Sequence, residues 1–271
     1  MGQGAIDEDR RCGVIGGAML RIDSLSRQFG GVYAVRDVSI DVTEGQLRGI
    51  IGPNGAGKST LFNLISGHLR PNAGRITFRG NRIDEHPPHE RCRRGIAIVF
   101  QGARIFRGMT VRENVMVGAH ARTRHGFLGA ALRTPRHRRE EREIRQGADA
   151  ALEQVGLADW ANHAAEALPL GQQRSMQVAR ALCAKPSLLL LDEPASGLRA
   201  GERQELARLI ENLRAGGLTM MLVEHDVQFV SRLADRVTVL HLGEVLADGT
   251  PDEMRRDDRV ITAYLGKDPS S

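Results

Sequence analysis

The chain is poor in the residues that build aromatic platforms and disulfide frameworks. Two tyrosines and one tryptophan in 271 residues are too few to stack successive bases of single-stranded nucleic acid. The three cysteines, Cys12, Cys92 and Cys183, are widely scattered. An odd count without metal-ligand spacing argues against a disulfide scaffold or a cysteine metal site and points to reduced thiols in a cytoplasmic protein. No stretch approaches the roughly 18 apolar residues needed to span a bilayer. The beginning, "MGQGAIDEDRRCGVIGG", lacks a long apolar run, so residues 1–18 are expected to form a flexible tail rather than a signal peptide. No internal repeat and no sustained heptad pattern is present.

What remains is an ordinary globular composition, 41% apolar and 26% charged, in a chain long enough for one large domain or two small ones. The net charge of +5 permits contact with nucleic acid or anionic lipid without demanding it. Much of the excess lies in Arg133, Arg136, Arg138, Arg139, Arg142 and Arg145, which read as a solvated helix face.

The periodicity changes along the chain. "VSIDV" (38–42) alternates like a half-buried strand, and "LRGII" runs into a glycine-rich loop. "STLFNLISGHL" (59–69) has helical spacing; "RITFRG" (75–80) and "GIAIVF" (95–100) read as short strands. Residues 102–185 are mostly helix-like, with helices expected over 139–155 and 173–184. "SLLLL" (187–191) and "LTMMLVEH" (218–225) suit buried parallel strands on either side of a helix at 201–215. "RVTVLHLGEVLADG" (236–249) reads as a hairpin turning at Leu242-Gly243, and 251–265 as helical. The order α/β, all-α, α/β implies a helical subdomain inserted in a parallel-sheet core.

"GPNGAGKST", Gly52, Pro53, Asn54, Gly55, Ala56, Gly57, Lys58, Ser59 and Thr60, fits G-x-x-x-x-G-K-[ST]. Glycines let backbone N–H groups converge on phosphate oxygens, and the following helix aims its positive end at them. Lys58 supplies charge to the β/γ phosphates, and the Ser59 hydroxyl suits Mg²⁺. The strand before and the helix after are the context this motif requires. Downstream, Asp192 and Glu193 stand at the end of a buried strand, where open α/β sheets bind ligands. One carboxylate can hold Mg²⁺. The next can polarise an attacking water as general base, worth typically ~10²–10⁴-fold.

These two motifs, with "VFQ", "GQQR" and "VEHD" in that order, resemble the ATP-binding-cassette (ABC) ATPases over residues 19–266. The resemblance implies a P-loop NTPase core with a mostly parallel sheet, an N-terminal antiparallel β subdomain and an inserted α-helical subdomain. The implied division is a tail (1–18), core with P-loop (19–101), helical subdomain with signature (102–185), core again (186–250), and C-terminal helix and tail (251–271). The resemblance assigns Phe29 to adenine stacking, with Tyr33 a weaker candidate. It assigns Gln101 to Mg²⁺ or the attacking water, His225 to the γ-phosphate, and Leu168, Pro169, Gly171 and Gln172 to the signature that meets ATP held by a second cassette. Ser59, Gln101 and Asp192 are the implied metal residues; ATP and Mg²⁺ are the implied substrate and ion.

"FGGVYAV", "IFRGMTVRENV", the insert "GFLGAALRTPRHRREE", "PASGL" and "GTPDEMRRDDRVITAYLG" look more particularly like the longer ATP-binding subunit of branched-chain amino-acid importers. That likeness implies a second cassette (identical or paralogous), two membrane permease subunits and, indirectly, a substrate-binding protein. It implies a peripheral place on the cytoplasmic face of the inner membrane and no nucleic-acid partner. The same motor on another cargo (urea, amides, lipopolysaccharide) and a soluble cassette acting on ribosomes or DNA are the competing readings. So is a regulatory ATP-binding module without turnover. Two departures stand out. Pro169 replaces the usual signature serine, so the signature is expected to grip phosphate through backbone donors and the helix end. Arg199 stands where the family's D-loop commonly has Asp or Asn.

Overall fold

The structure, a computed structural model, describes residues 17–102, 105–122 and 135–265. The expected tail (1–18) lies outside these residues save for its last two, as does the insert up to Thr134.

Two sheets carry the fold. Strands β1 (Leu20–Phe29), β2 (Val32–Val42), β4 (Ala73–Phe78) and β5 (Asn81–Arg82) form an antiparallel sheet in the order β2-β1-β4-β5. The alternation seen in "VSIDV" is its cause: Val38, Ile40 and Val42 are buried while Ser39 and Asp41 face out. The second sheet is built from β3 (Leu47–Ile51), β6 (Ile96–Val99), β7 (Leu188–Asp192), β8 (Thr219–Val223), β9 (Arg236–His241) and β10 (Glu244–Gly249). Its order is β10-β9-β3-β8-β7-β6. All neighbours in it are parallel except the β9–β10 hairpin. β7 and β8 are buried at every position, as their unbroken apolar runs require of strands covered on both faces. The hairpin turns at Leu242 and Gly243, whose φ values of 50° and 85° are those of a tight primed turn.

The helices are α1 (Lys58–Ser66), α2 (Pro88–Arg94), α3 (Val111–Met116), α4 (Pro135–Gln154), α5 (Leu170–Cys183), α6 (Ala200–Ala215), α7 (Val227–Leu233), α8 (Pro251–Arg256) and α9 (Asp258–Leu265). One helical stretch expected at 251–265 is in fact two. Asp257 breaks it in an extended conformation and accepts the Arg259 N–H at 2.9 Å, capping the second helix. Arg139, Arg142 and Arg145 on α4 face solvent. α3 starts at a full capping box between Thr110 and Glu113.

Residues of 111–119 and 148–183 build a separate hydrophobic core around Val111, Val115, Leu152, Leu157, Met176 and Cys183. α5 serves two cores at once: Met176 and Ala179 pack there, while Val178 and Ala181 pack into the core of the parallel sheet. This sharing ties the start of α5 to the sheet.

α1 ends against a buried cation. Arg91, 1% exposed, donates to the carbonyls of Leu64 (2.6 Å), Ile65 (2.8 Å), Asp84 (2.9 Å) and His86 (2.8 Å). Burial pushes its guanidinium down to about 10, so it stays charged at neutral pH. A cation on the last carbonyls of a helix complements the helix dipole and satisfies acceptors that water cannot reach. Arg91→Met leaves them orphaned. It is expected to cost roughly 2–4 kcal/mol of unfolding free energy, measured by urea denaturation against the parent chain.

Candidate functional site

The glycine-rich loop joins β3 to α1. Gly57 has φ 99°, and a Cβ on it would lie 2.1 Å from the Ala34 carbonyl oxygen of β2. Only glycine fits there, so the loop is clamped against the antiparallel sheet. From the other side the Gly243 N–H donates to the Ala56 carbonyl (3.1 Å), and the Arg36 N–H to the Gly243 carbonyl (2.7 Å). Asn54, Gly55 and Ser59 are exposed, Pro53 and Thr60 half-buried. Lys58, 6% exposed, donates its ammonium to the carbonyls of Gly52 (2.8 Å) and Pro53 (3.1 Å). Burial pushes its pKa down, against the pull of Glu193, Asp192 and Glu224.

The carboxylates arrive on the neighbouring strands. Asp192 ends β7 and is buried, with Oδ1 lacking any hydrogen-bond partner. Burial, then the Glu193 charge, push its carboxyl up to about 6, with the Ser59 hydroxyl and Lys58 partly opposing. Glu193 follows with φ 45°, a left-handed conformation uncommon for a residue with a side chain. Its N–H is pinned to the Val223 carbonyl of β8 at 2.9 Å. Gln101, just past β6, donates Nε2 to Glu193 Oε2 at 2.7 Å. The glutamine and the glutamate singled out from sequence are therefore in contact across 92 positions of chain. His225, just past β8, is exposed, its Nδ1 3.5 Å from the buried Glu224 carboxylate. All these residues stand at the carboxyl ends of parallel strands on one edge of the sheet.

Phe29 and Tyr33 flank the β1–β2 turn and are both about half exposed. The Arg27 guanidinium lies 4.7 Å from the Phe29 ring centre. Tyr33 has Arg36 at 5.6 Å.

The signature residues sit apart from this edge, at the start of α5. Leu168 is buried and Pro169 is the N-cap, which offers no side-chain hydrogen bond. The helix start expected to present free N–H groups is not wholly free. The Gly171 N–H donates to Glu202 Oε1 of α6 at 3.0 Å. Gln172 is half-buried with Oε1 unpartnered. The single chain thus holds two separated clusters, one at the strand ends and one at the α5 start.

The family model described as "ABC transporter" matches residues 35–196. The chain belongs to the ABC transporter ATP-binding family. Its cassette is an ATPase of that class. A second model, "Branched-chain amino acid ATP-binding cassette transporter", matches residues 244–269. The chain is 41% identical over 250 residues to the high-affinity branched-chain amino acid transport ATP-binding protein BraF of Pseudomonas aeruginosa, covering 92% of this chain and 98% of that one. Among solved structures, an ABC transporter's ATP-binding cassette in its ADP conformation superposes with a TM-score of 0.81 at 30% identity, covering 93% of this chain and all of that one. A dimeric cassette in a post-hydrolysis state, bound to ADP and Pi, gives 0.71 at 26% identity, covering 86% of this chain and 99% of that one.

Three further residues of this cassette support the site. Glu224 is 1% exposed, accepts the Ala195 N–H at 2.8 Å and supports the backbone behind the site. Arg203 pairs with Asp226 at 3.0 Å, tying α6 to the residue after His225. Glu202 bridges Gly171 and Arg199. Only Glu202 left a local trace, a Glu at the third position of its helix; the others depend on which strands become neighbours.

The raised Asp192 carboxyl makes a prediction for the nucleotide-free cassette. The folded state holds this proton more tightly than the unfolded chain. Its contribution is fully present below the ordinary pKa near 3.8 and is lost as pH rises through about 6. Asp192→Asn is therefore expected to raise the melting temperature at pH 8, by an effect of up to about 3 kcal/mol, and to change it little at pH 4. Thermal scans without nucleotide at the two pH values check this.

Proposed function

We propose that this cassette is the ATP-hydrolysing subunit of an importer for branched-chain or related hydrophobic amino acids. In this reading it works through two permease subunits, peripheral to the cytoplasmic face of the inner membrane, with a substrate-binding protein delivering the cargo. The observation that carries the cargo is the match of residues 244–269 to the branched-chain amino acid cassette model, joined to the likeness to BraF along nearly the whole chain.

The chemistry follows from the strand-end cluster. Backbone N–H groups of the loop from Gly52 to Ser59 and the start of α1 bind the phosphates. Lys58 leaves its two carbonyl acceptors for phosphate oxygens. Phe29 stacks the adenine, with Tyr33 beside it. Glu193 takes a proton from the attacking water, and Gln101, already bonded to it, orients both. His225, on its exposed turn, donates to the γ-phosphate. The orphaned Asp192 Oδ1, the Ser59 hydroxyl and the Gln101 amide oxygen are hard donors that suit Mg²⁺. The ion supplies neutralisation of phosphate charge when bound.

The separation of the two clusters supports a head-to-tail pair of cassettes. ATP on the strand ends of one lies against the α5 start of the other, so ATP links the pair by mass action and hydrolysis releases it. Closing and opening drive the permeases.

Glu193→Gln is expected to bind MgATP, to lose turnover by ~10²-fold or more, and to accumulate a closed dimer on sizing with ATP. A variant that hydrolyses at the parent rate overturns the base assignment. Lys58→Ala should lose ATP affinity and uptake together, read by equilibrium binding and by radiolabelled leucine uptake in cells expressing the whole transporter. Retained leucine uptake overturns the motor role. ATP-coupled uptake of urea or an amide, with none of leucine, overturns the cargo alone.

A further inference from the structure

The first turn of α6 carries a carboxylate that reaches across to the signature helix. Glu202 accepts the Gly171 N–H through Oε1 at 3.0 Å and the Arg199 N–H through Oε2 at 2.9 Å. Gly171 is the second residue of α5, whose N-cap Pro169 supplies no acceptor of its own. The approach is close. A Cβ on Gly171 would sit 3.0 Å from Glu202 Cγ and Oε1 and 3.1 Å from its Cβ. A side chain at 171 would crowd the Glu202 side chain by a few tenths of an ångström. The next residue, Arg203, pairs with Asp226 at 3.0 Å, tying the same turn to the start of α7. The two backbone donors of Glu202 hold its carboxyl below the usual range, and it remains an anion at neutral pH.

One N–H carries one hydrogen. In the head-to-tail pair proposed above, the terminal phosphate of the partner's ATP comes to the start of α5, where the Gly171 N–H points. Carboxylate and phosphate are both anionic acceptors, and they repel each other at hydrogen-bond range. We propose that Glu202 is a plug on the signature. In the single chain its carboxylate occupies the Gly171 donor, and closure on ATP exchanges carboxylate for phosphate. This inference rests on the head-to-tail reading and deepens it, because it makes the ATP concentration needed for closure a property of Glu202. The released carboxylate keeps its bond to Arg199, so the exchange costs one hydrogen bond and not the capping of α6. Pro169 sharpens the competition. With no hydroxyl beside it, the Gly171 N–H is a larger part of what the signature offers to phosphate.

The test compares Glu202→Asp and Glu202→Gln in the full-length chain. Aspartate keeps the charge and can still cap α6 but is one methylene too short for Gly171. Glutamine keeps the reach and an acceptor oxygen but loses the charge. In the Glu193→Gln background, ATP is titrated and dimer followed by light scattering, with the permease added where the chain alone stays monomeric. Glu202→Asp is expected to reach half-maximal dimer at roughly three- to ten-fold lower ATP, with Glu202→Gln between it and the parent. Without nucleotide, the Gly171 amide is expected to exchange its hydrogen faster in Glu202→Asp than in the parent. An unchanged or raised ATP midpoint in Glu202→Asp overturns the plug and leaves Glu202 a helix cap. Unchanged Gly171 exchange overturns the contact itself. Absence of any ATP-dependent dimer in the Glu193→Gln background, with or without permease, overturns the head-to-tail reading, and the exchange falls with it.

Discussion

A buried ammonium and a buried carboxyl share the ends of three parallel strands, and neither is at ease there. Lys58 leans on the carbonyls of its own loop rather than on a counter-ion. Asp192 is held near a proton it would ordinarily shed, with one oxygen bonded to nothing. Removing charges from water is costly unless each finds a partner. The protein's own groups therefore leave the site electrostatically incomplete, which is why the reading proposed above has phosphate oxygens take up the ammonium and a cation the carboxylate. The surrounding structure preserves that incompleteness. Glu193 is pinned in a left-handed turn by Val223, and Asp192 is set opposite Val223 in the strand register.

The signature belongs to the same mechanical unit through α5. Because that helix packs into two cores, its start is placed by buried side chains rather than by loop conformation. Arg174, buried in its second turn, reaches the Ser196 carbonyl of the loop that follows Glu193 at 3.4 Å. The start of α5 is thereby linked to the backbone that follows Glu193. In the head-to-tail pairing proposed above, this link between the two ATP-facing surfaces is one guanidinium long.

The strand-end cluster was readable from sequence because its signals are local. A glycine-lysine loop between strand and helix, and acids closing an apolar run, carry their chemistry in their spacing. The parallel strands were legible from unbroken runs such as "SLLLL", since period and length decide there. What stayed hidden depends on pairing across distance. Arg48, the second residue of "LRGII", is buried and bonded to Thr238 and Asp248, some 190 and 200 positions away; no pattern within the strand announces those partners. The role of Arg91 depends on the end of α1 falling beside α2. The division of 251–265 into two helices turned on a single aspartate whose side chain captured the backbone, a competition that periodicity does not register. At Gly171 the sequence suggested a donor, and only the packing of α6 revealed that the donor was taken.

The hairpin of β9 and β10 has a further meaning. Its turn at Leu242-Gly243 touches both the Ala56 carbonyl and the Arg36 amide, so the far end of the chain closes a ring around a loop whose own residues end at Thr60. The loop and the turn that closes it stand some 180 positions apart in the sequence. Their mutual bonds form only once β9 and β10 have docked. Long-range closure of this kind slows folding. A chain without the hairpin keeps the glycine-lysine motif but lacks both backbone bonds that hold its loop against the antiparallel sheet.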